Sequence, residues 1–307
     1  MITDIEKEEI SSELKNGFTS FFDFSLSLIE QLNKENNNLK FAVVNMQISL
    51  ELFLKYYFIM NDMPERVFIL KKGKRKFRDF SEVLNSYFSV TRNGLYAEKK
   101  QLVTILESRN DIVHKGKFKT WDEELAKYII SCVFFIQGNL RSDLSETLMV
   151  PENHPHKLSK NYTWRNGAVE FAQKIASEFS EIVLKCPYCS SKSLIRKEIF
   201  DFDDQGDVEN YQCLTCLCEV DTQIYGAIVE CCACNDKAYY VDRLNIQPDK
   251  TYFGGCLSCR NKMDLRYCEN CGIFFFHDLQ EKEIELKGDY FCSEECKNLH
   301  KKFKTNI

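Results

Sequence analysis

The chain has 307 residues, 44% of them hydrophobic and 28% charged, with a formal net charge of −5. That length suggests about two domains with buried cores, and the negative balance excludes a generally basic nucleic-acid binder, so any such binding must rest on local patches. No apolar run approaches membrane-spanning length, and the acidic start MITDIEKEEI lacks the features of a signal peptide, which points to a cytoplasmic chain with no membrane partner.

Residues 1–149 are predicted to be a helical domain. Glu6–Leu32 places Phe18, Phe21, Phe22, Leu26 and Ile29 at helical spacing, and Leu39–Asn61 is apolar nearly all round, as a central buried helix is. One stripe of that second helix is polar: Gln47, Glu51 and Lys55 recur every four residues and share a face. The stripe is either a surface ion pair or the wall of a polar cleft. After Pro64 comes KKGKRKFR, with six basic residues between Lys71 and Arg78. Such a run is usually a solvated loop, but it also suits a phosphate backbone. Helical patterns resume over Asp79–Val90 and Leu95–Leu106. Ser108-x-x-Asp111 has the spacing to start a fresh helical turn, and Thr120-x-x-Glu123 opens a helix from Trp121 to about Leu140.

Between those last two helices lies the polar stretch Ser108–His114, which reads SRNDIVH. Histidine exchanges protons near neutral pH, and arginine can grip a phosphate through two nitrogens. Taken alone, an arginine and a histidine five residues apart are more often a local pair and a surface imidazole. On a straight helix they stand about 140° apart, so a joint site calls for a bend at the helix start or for a second copy of the chain.

The order of NMQISLELFLKYYFI, ESRNDIVHKG and a long apolar helix resembles the HEPN family over residues of about 18–140. That family's R-x4-6-H motif, with a polar residue after the arginine, is met by Arg109, Asn110 and His114. The resemblance implies a metal-independent endoribonuclease of the toxin or phage-defence kind that acts on RNA as a homodimer. In that reading His114 and Arg109 carry the chemistry, Asn110 orients the motif or contacts phosphate, and Glu51 and Lys55 shape the cleft. The alternative is a catalytically silent domain in a nucleic-acid-binding or protein-interaction adaptor.

Residues 150–184 are predicted to be a linker, with Pro151, His154, Pro155 and His156, followed by one amphipathic helix over Gly167–Leu184. Beyond it lie all the cysteines but Cys132, of 15 in the chain. Cys186-x2-Cys189 precedes Cys213-x2-Cys216, Cys231-x2-Cys234 precedes Cys256-x2-Cys259, and Cys268-x2-Cys271 precedes Cys292-x3-Cys296. Pairs at this spacing in a cytosolic chain are metal ligands far more often than disulfides. Two pairs close a tetrahedral thiolate site, so about three structural zinc ions are expected.

The modules are placed at 185–225, which resembles a zinc ribbon with turn chemistry at Pro187, at 226–263, and at 264–307, which resembles a treble-clef finger whose last cysteine pair opens a terminal helix. Cys218, Cys232 and His300 leave the ligand register open by one choice. Closed four-cysteine sites are structural. The modules would then recognise the substrate, a trigger or a partner, with basic tracts at Arg260–Lys262 and Lys297–Lys304 available for contact. The expected fold is mainly α, a helical bundle followed by small α+β zinc modules.

Overall fold

Thr3 starts the first helix because its hydroxyl accepts from the amide of Glu6 at 3.2 Å while the Glu6 carboxylate accepts from the amide of Thr3 at 2.9 Å, a reciprocal cap. The computed structural model describes residues 3–33, 37–91, 96–116, 121–149, 158–179, 181, 183–186, 188–197, 210–221, 226–256, 258–259, 261–277 and 284–304. Leu95, Thr120, the proline–histidine linker at 151–156, Pro187 and Arg260 lie outside these residues. The rest falls into two compact units. One runs to Phe171 and the other begins at Ala172, except that Thr215–Leu217 groups with the first.

In the first unit α1 (Asp4–Glu30) turns Leu14, Phe18, Phe22, Leu26 and Ile29 inward, and α2 (Asn38–Met60) is buried on almost every side. The helix that is apolar all round is the centre, and α1 packs along it. Phe53 of α2 meets Phe18 edge-on at 5.7 Å and Phe135 at 6.2 Å, geometries that aromatic quadrupoles favour. Polar ties thread this core. The Ser49 hydroxyl donates to the Phe18 carbonyl at 2.9 Å, Tyr56 to Glu146 at 2.7 Å and Tyr57 to Asp143 at 2.7 Å. Burial first, and the adjoining carboxylate second, holds the Tyr56 and Tyr57 phenols protonated well above their usual range.

After a 3-10 turn at Pro64–Arg66 the basic run forms a hairpin rather than a loop, β1 (Phe68–Lys71) against β2 (Lys74–Phe77). Its two-residue turn, Lys72–Gly73, has φ of 53° and 72°, the left-handed pair that matches the twist of a tight hairpin. Next come α3 (Phe80–Val90), capped by Asp79 and Glu82, and α4 (Lys99–Lys115), capped by Glu98 and Gln101.

The fresh start expected at Ser108 does not occur. Ser108 and Asp111 are interior to α4, which runs on to a left-handed Gly116 whose amide reaches back to the Asp111 carbonyl. A capping pattern acts only where the preceding chain is not already helical. The next helix, α5 (Glu123–Leu144), starts at Asp122, whose carboxylate accepts from the Leu125 amide at 3.0 Å. The helix expected at 167–184 is α6 (Tyr162–Glu178), displaced forward because the Asn161 side chain accepts from the Trp164 amide at 3.0 Å. It stacks Phe171 on Phe134 at 4.5 Å.

The second unit is β-rich. Strands β3 (Leu194–Arg196), β4 (Asn210–Cys213) and β5 (Glu219–Asp221) form an antiparallel sheet in that order. Strands β6 (Gly226–Val229), β7 (Tyr239–Ile246), β8 (Tyr252–Cys256), β9 (Leu265–Tyr267) and β10 (Phe274–Phe276) form a five-stranded antiparallel meander. Cys231, Tyr239, Val241, Cys256 and Leu265 are its buried centre. A final hairpin, β11 (Ile284–Leu286) with β12 (Asp289–Phe291), leads into α7 (Glu294–Lys304). The fold is thus helices followed by small α+β modules. Among the described residues no helix is long and apolar enough to cross a membrane.

Candidate functional site

The five C-x2-C pairs share one local geometry, which repeats from turn to turn. The amide of Cys186 donates to the Ser191 carbonyl, and the amide of Ser190 donates back to Cys186, both at 2.9 Å. Cys231 pairs in the same way with Asp236 and Asn235, and Cys268 with Ile273 and Gly272. Cys213 and Cys256 make the first of these bonds, to Cys218 and Asn261. In the C-x2-C pairs the residue four after the leading cysteine is left-handed wherever it is described, with φ of 59° at Ser190, 62° at Leu217, 61° at Asn235 and 75° at Gly272, whereas Cys292-x3-Cys296 runs into a helix. Such a turn aims two sulfurs at one point.

Three quartets result: Cys186, Cys189, Cys213 and Cys216; Cys231, Cys234, Cys256 and Cys259; Cys268, Cys271, Cys292 and Cys296. In each, all four sulfurs lie within 4.8 Å of one another. Sulfur–sulfur separations are 3.6 Å for Cys189–Cys213, 3.7 Å for Cys231–Cys259 and Cys234–Cys256, and 3.6 Å for Cys271–Cys292 and Cys292–Cys296. A tetrahedral zinc ion with bonds of about 2.3 Å requires edges of about 3.8 Å, whereas a disulfide would bring two sulfurs to about 2.0 Å. The quartets therefore fit about three structural zinc ions, with every position filled by protein.

The open ligand choices close on the same geometry. Cys218 supplies a backbone carbonyl to its own turn while Cys216 supplies the thiol, and Cys231 rather than Cys232 joins the second quartet. The Cys232 sulfur lies 3.4 Å from that of Met263. Cys296 sits in the first turn of α7 and completes the third quartet, while His300 Nε2 is 3.7 Å from Asp289.

Charge in the quartets is shared. Burial pushes the Cys231 thiol up, but amide hydrogen bonds from Ala233 and Cys234, with help from neighbouring thiols, bring it down to about 7. At Cys234 an amide bond from Asp236 acts downward, yet burial and the crowding thiols raise the group to about 12. One thiolate forms readily and the next is resisted, a balance that a divalent cation reverses.

The second candidate site is on α4 and α2. Arg109 and Asn110 meet side by side, Nη1 donating to the Asn110 amide oxygen at 3.0 Å, and the same Nη1 lies 3.2 Å from His114 Nε2. No bend is involved. The helix is continuous, and the long arginine side chain spans the angle between the two positions. A guanidinium is only a donor, so the contact is a hydrogen bond whenever His114 Nε2 carries no proton. Arg109 Nε is buried with no hydrogen-bond partner among the described residues.

The polar stripe of α2 faces Arg109 and Asn110, while His114 is not among the residues that line the cleft between them. Gln47, Glu51, Lys55, Arg109 and Asn110 line one cleft of about 600 Å³, together with Phe77–Ser81 and Leu106. Lys55, only 6% exposed, donates to Glu51 at 2.6 Å, and Gln47 donates to the other Glu51 oxygen at 3.3 Å. The Lys55 ammonium also lies 4.9 Å from the centre of the Phe77 ring. The cleft wall thus holds a fixed carboxylate–ammonium pair opposite an arginine with an unused donor.

Phe77 and Arg78 are members of this wall that sequence reasoning set aside as part of a charged run. Their signal was position, directly before the cap of α3. No family model, curated protein or solved structure matches the chain.

Proposed function

We propose that the chain is a metal-independent endoribonuclease of the toxin or phage-defence kind, with a HEPN-like helical domain and zinc modules of ribbon and treble-clef type. The observation that carries this reading is the Arg109–His114 contact at 3.2 Å beside the cleft lined by Glu51, Lys55 and Asn110. In the proposed reaction His114 accepts the proton of a ribose 2′-hydroxyl, whose oxygen attacks the adjacent phosphorus, or returns a proton to the departing 5′-oxygen. The P–O5′ bond breaks and a 2′,3′-cyclic phosphate remains. Arg109 stabilises charge on the five-coordinate phosphorus, and a phosphate oxygen would engage its orphaned Nε.

A homodimer fits this chemistry, since two copies supply two histidines for the two proton transfers. Val113, 49% exposed beside His114, supports an interface on this face. The zinc modules then select the RNA, a trigger or a protein partner in the cytoplasm.

The test is cleavage of labelled single-stranded RNA by the purified chain in EDTA, with its structural zinc retained. The expected products end in a 2′,3′-cyclic phosphate, and RNA methylated at the 2′-oxygen resists. His114→Ala and Arg109→Ala should each slow cleavage by about 10²–10⁴, and the double variant should be scarcely worse than either because the two act as a unit. Full cleavage by His114→Ala, or cleavage that tracks added magnesium, would replace this reading with the adaptor.

A further inference from the structure

The hairpin β1–β2 separates its residues into two faces. The register pairs Lys71 with Lys74 and Ile69 with Lys76 on one face, and Phe68 with Phe77 and Leu70 with Arg75 on the other. Lys72 and Gly73 form the tip. Every β2 residue is exposed, as are Lys71 and Lys72.

Among the described residues Arg75 of the hairpin and Arg78 just after it have carboxylates near them, Glu6 3.5 Å from Arg75 and Glu82 3.8 Å from Arg78. Lys71, Lys72, Lys74 and Lys76 form no ion pair with any described residue. Like charges set directly opposite across two strands oppose the pairing, and an isolated two-stranded hairpin is marginal to begin with. Here Phe68 stacks on Phe77 at 4.8 Å and anchors the base. The lysines concentrate positive charge at the tip of the hairpin.

The other face is apolar and aromatic. Phe68, Leu70 and Arg75 line a depression of about 510 Å³ together with Ile69 of the lysine face, Pro64, Glu65 and Arg78, and Arg78 and Phe77 in turn line the cleft of Arg109 and Asn110. Leu70 is 78% exposed, and the Arg75 guanidinium lies 5.5 Å from the Phe68 ring centre. Both rings on this face are already covered, Phe68 by Phe77 and Arg75, and Phe77 by Phe68 and Lys55, so what the hairpin offers a single strand is the cationic track on the opposite face, which follows phosphates.

The geometry points to the β1–β2 hairpin as an RNA-positioning arm: its lysine face holds the phosphates of a single strand whose next segment enters the cleft at Phe77 and Arg78. This rests on the ribonuclease reading for the purpose of the arm but not for its test. The probe is a short fluorescent 2′-O-methyl oligoribonucleotide, which 2′-hydroxyl chemistry leaves intact. Its binding to the full zinc-loaded chain is therefore measured whether or not the chain cuts RNA.

Anisotropy titrations between roughly 50 and 200 mM salt should give a log–log slope that flattens by about 3 when Lys71, Lys72, Lys74 and Lys76 are all changed to Gln, with binding about 10²-fold weaker near 0.15 M, since each single-strand phosphate contact contributes about 0.7 to the slope. Changing the four to Arg should keep both slope and affinity, which separates charge from loss of the hairpin. Circular dichroism of both variants should match the parent. An unchanged slope in the Gln variant, or no binding by the parent chain, overturns the arm. Competition by polyglutamate as strong as by the oligonucleotide, at equal charge, overturns RNA as its ligand in favour of an acidic protein.

Discussion

Replacing Cys256 with serine should remove more than one zinc ion. Cys256 ends β8, is 3% exposed and lies 3.7 Å from the sulfur of Cys234. Among the described residues the buried centre of its sheet has three members besides Cys231 and Cys256, namely Tyr239, Val241 and Leu265, with partly buried side chains such as Val229, Tyr252, Phe274 and Phe276 packed against them. Each fully buried apolar side chain contributes about 1.5–3 kcal/mol, whereas a structural zinc site contributes about 10–16 kcal/mol. The metal therefore contributes on the same order as the whole apolar cluster to what orders β6–β10. That sheet also includes β9 and β10, which flank Cys268 and Cys271, so losing the second zinc should loosen the first pair of the third quartet. Elemental analysis after gel filtration should fall from about three zinc ions per chain to about one. Cys189→Ser should instead cost a single ion, because its quartet draws on the separate β3–β5 sheet. The helical signal in circular dichroism should remain largely intact in both. Two ions retained by Cys256→Ser would refute the coupling through the shared sheet, and three retained would refute the quartet itself.

The helical unit should be lost at alkaline pH. The Tyr56 and Tyr57 phenols have folded-state pKa values above the usual one, so their contribution is complete below pH of about 10 and is lost as pH rises beyond it, by up to about 1.4 kcal/mol per pH unit for each. Melting curves at successive pH values check this, and a flat melting temperature through that range would contradict it. Gly138→Ala should destabilise by about 1–3 kcal/mol, since an added Cβ would stand 2.6 Å from the Tyr96 ring. Urea titration reads the loss, and no change in midpoint would mean that Tyr96 moves freely. Acid should release zinc, because every ligand must be a thiolate, and a zinc-sensitive dye should report the ions as pH falls; retention through strong acid would rule out thiolate ligation.

What the sequence determined by itself was whatever depends on near neighbours along the chain. The helices follow from apolar spacing and caps, and the all-round apolar Leu39–Met60 segment announced its central place. The C-x2-C pairs were legible because a two-residue gap is itself the geometry of a metal turn. Hidden in the sequence was the hairpin at 68–77, whose lysines mask strand propensity although Lys72–Gly73 is a fitting two-residue turn. Only tertiary structure decided between Cys216 and Cys218 and between Cys231 and Cys232, since adjacent thiols differ in where the backbone aims them and not in chemistry. It also brought Arg109 to His114 along one unbroken helix, through the reach of a side chain that Cα geometry ignores. Gln47, Glu51 and Lys55 share a face by spacing alone, but that this face meets Arg109 and Asn110 across a cleft depends on how α2 and α4 pack, which no local pattern encodes.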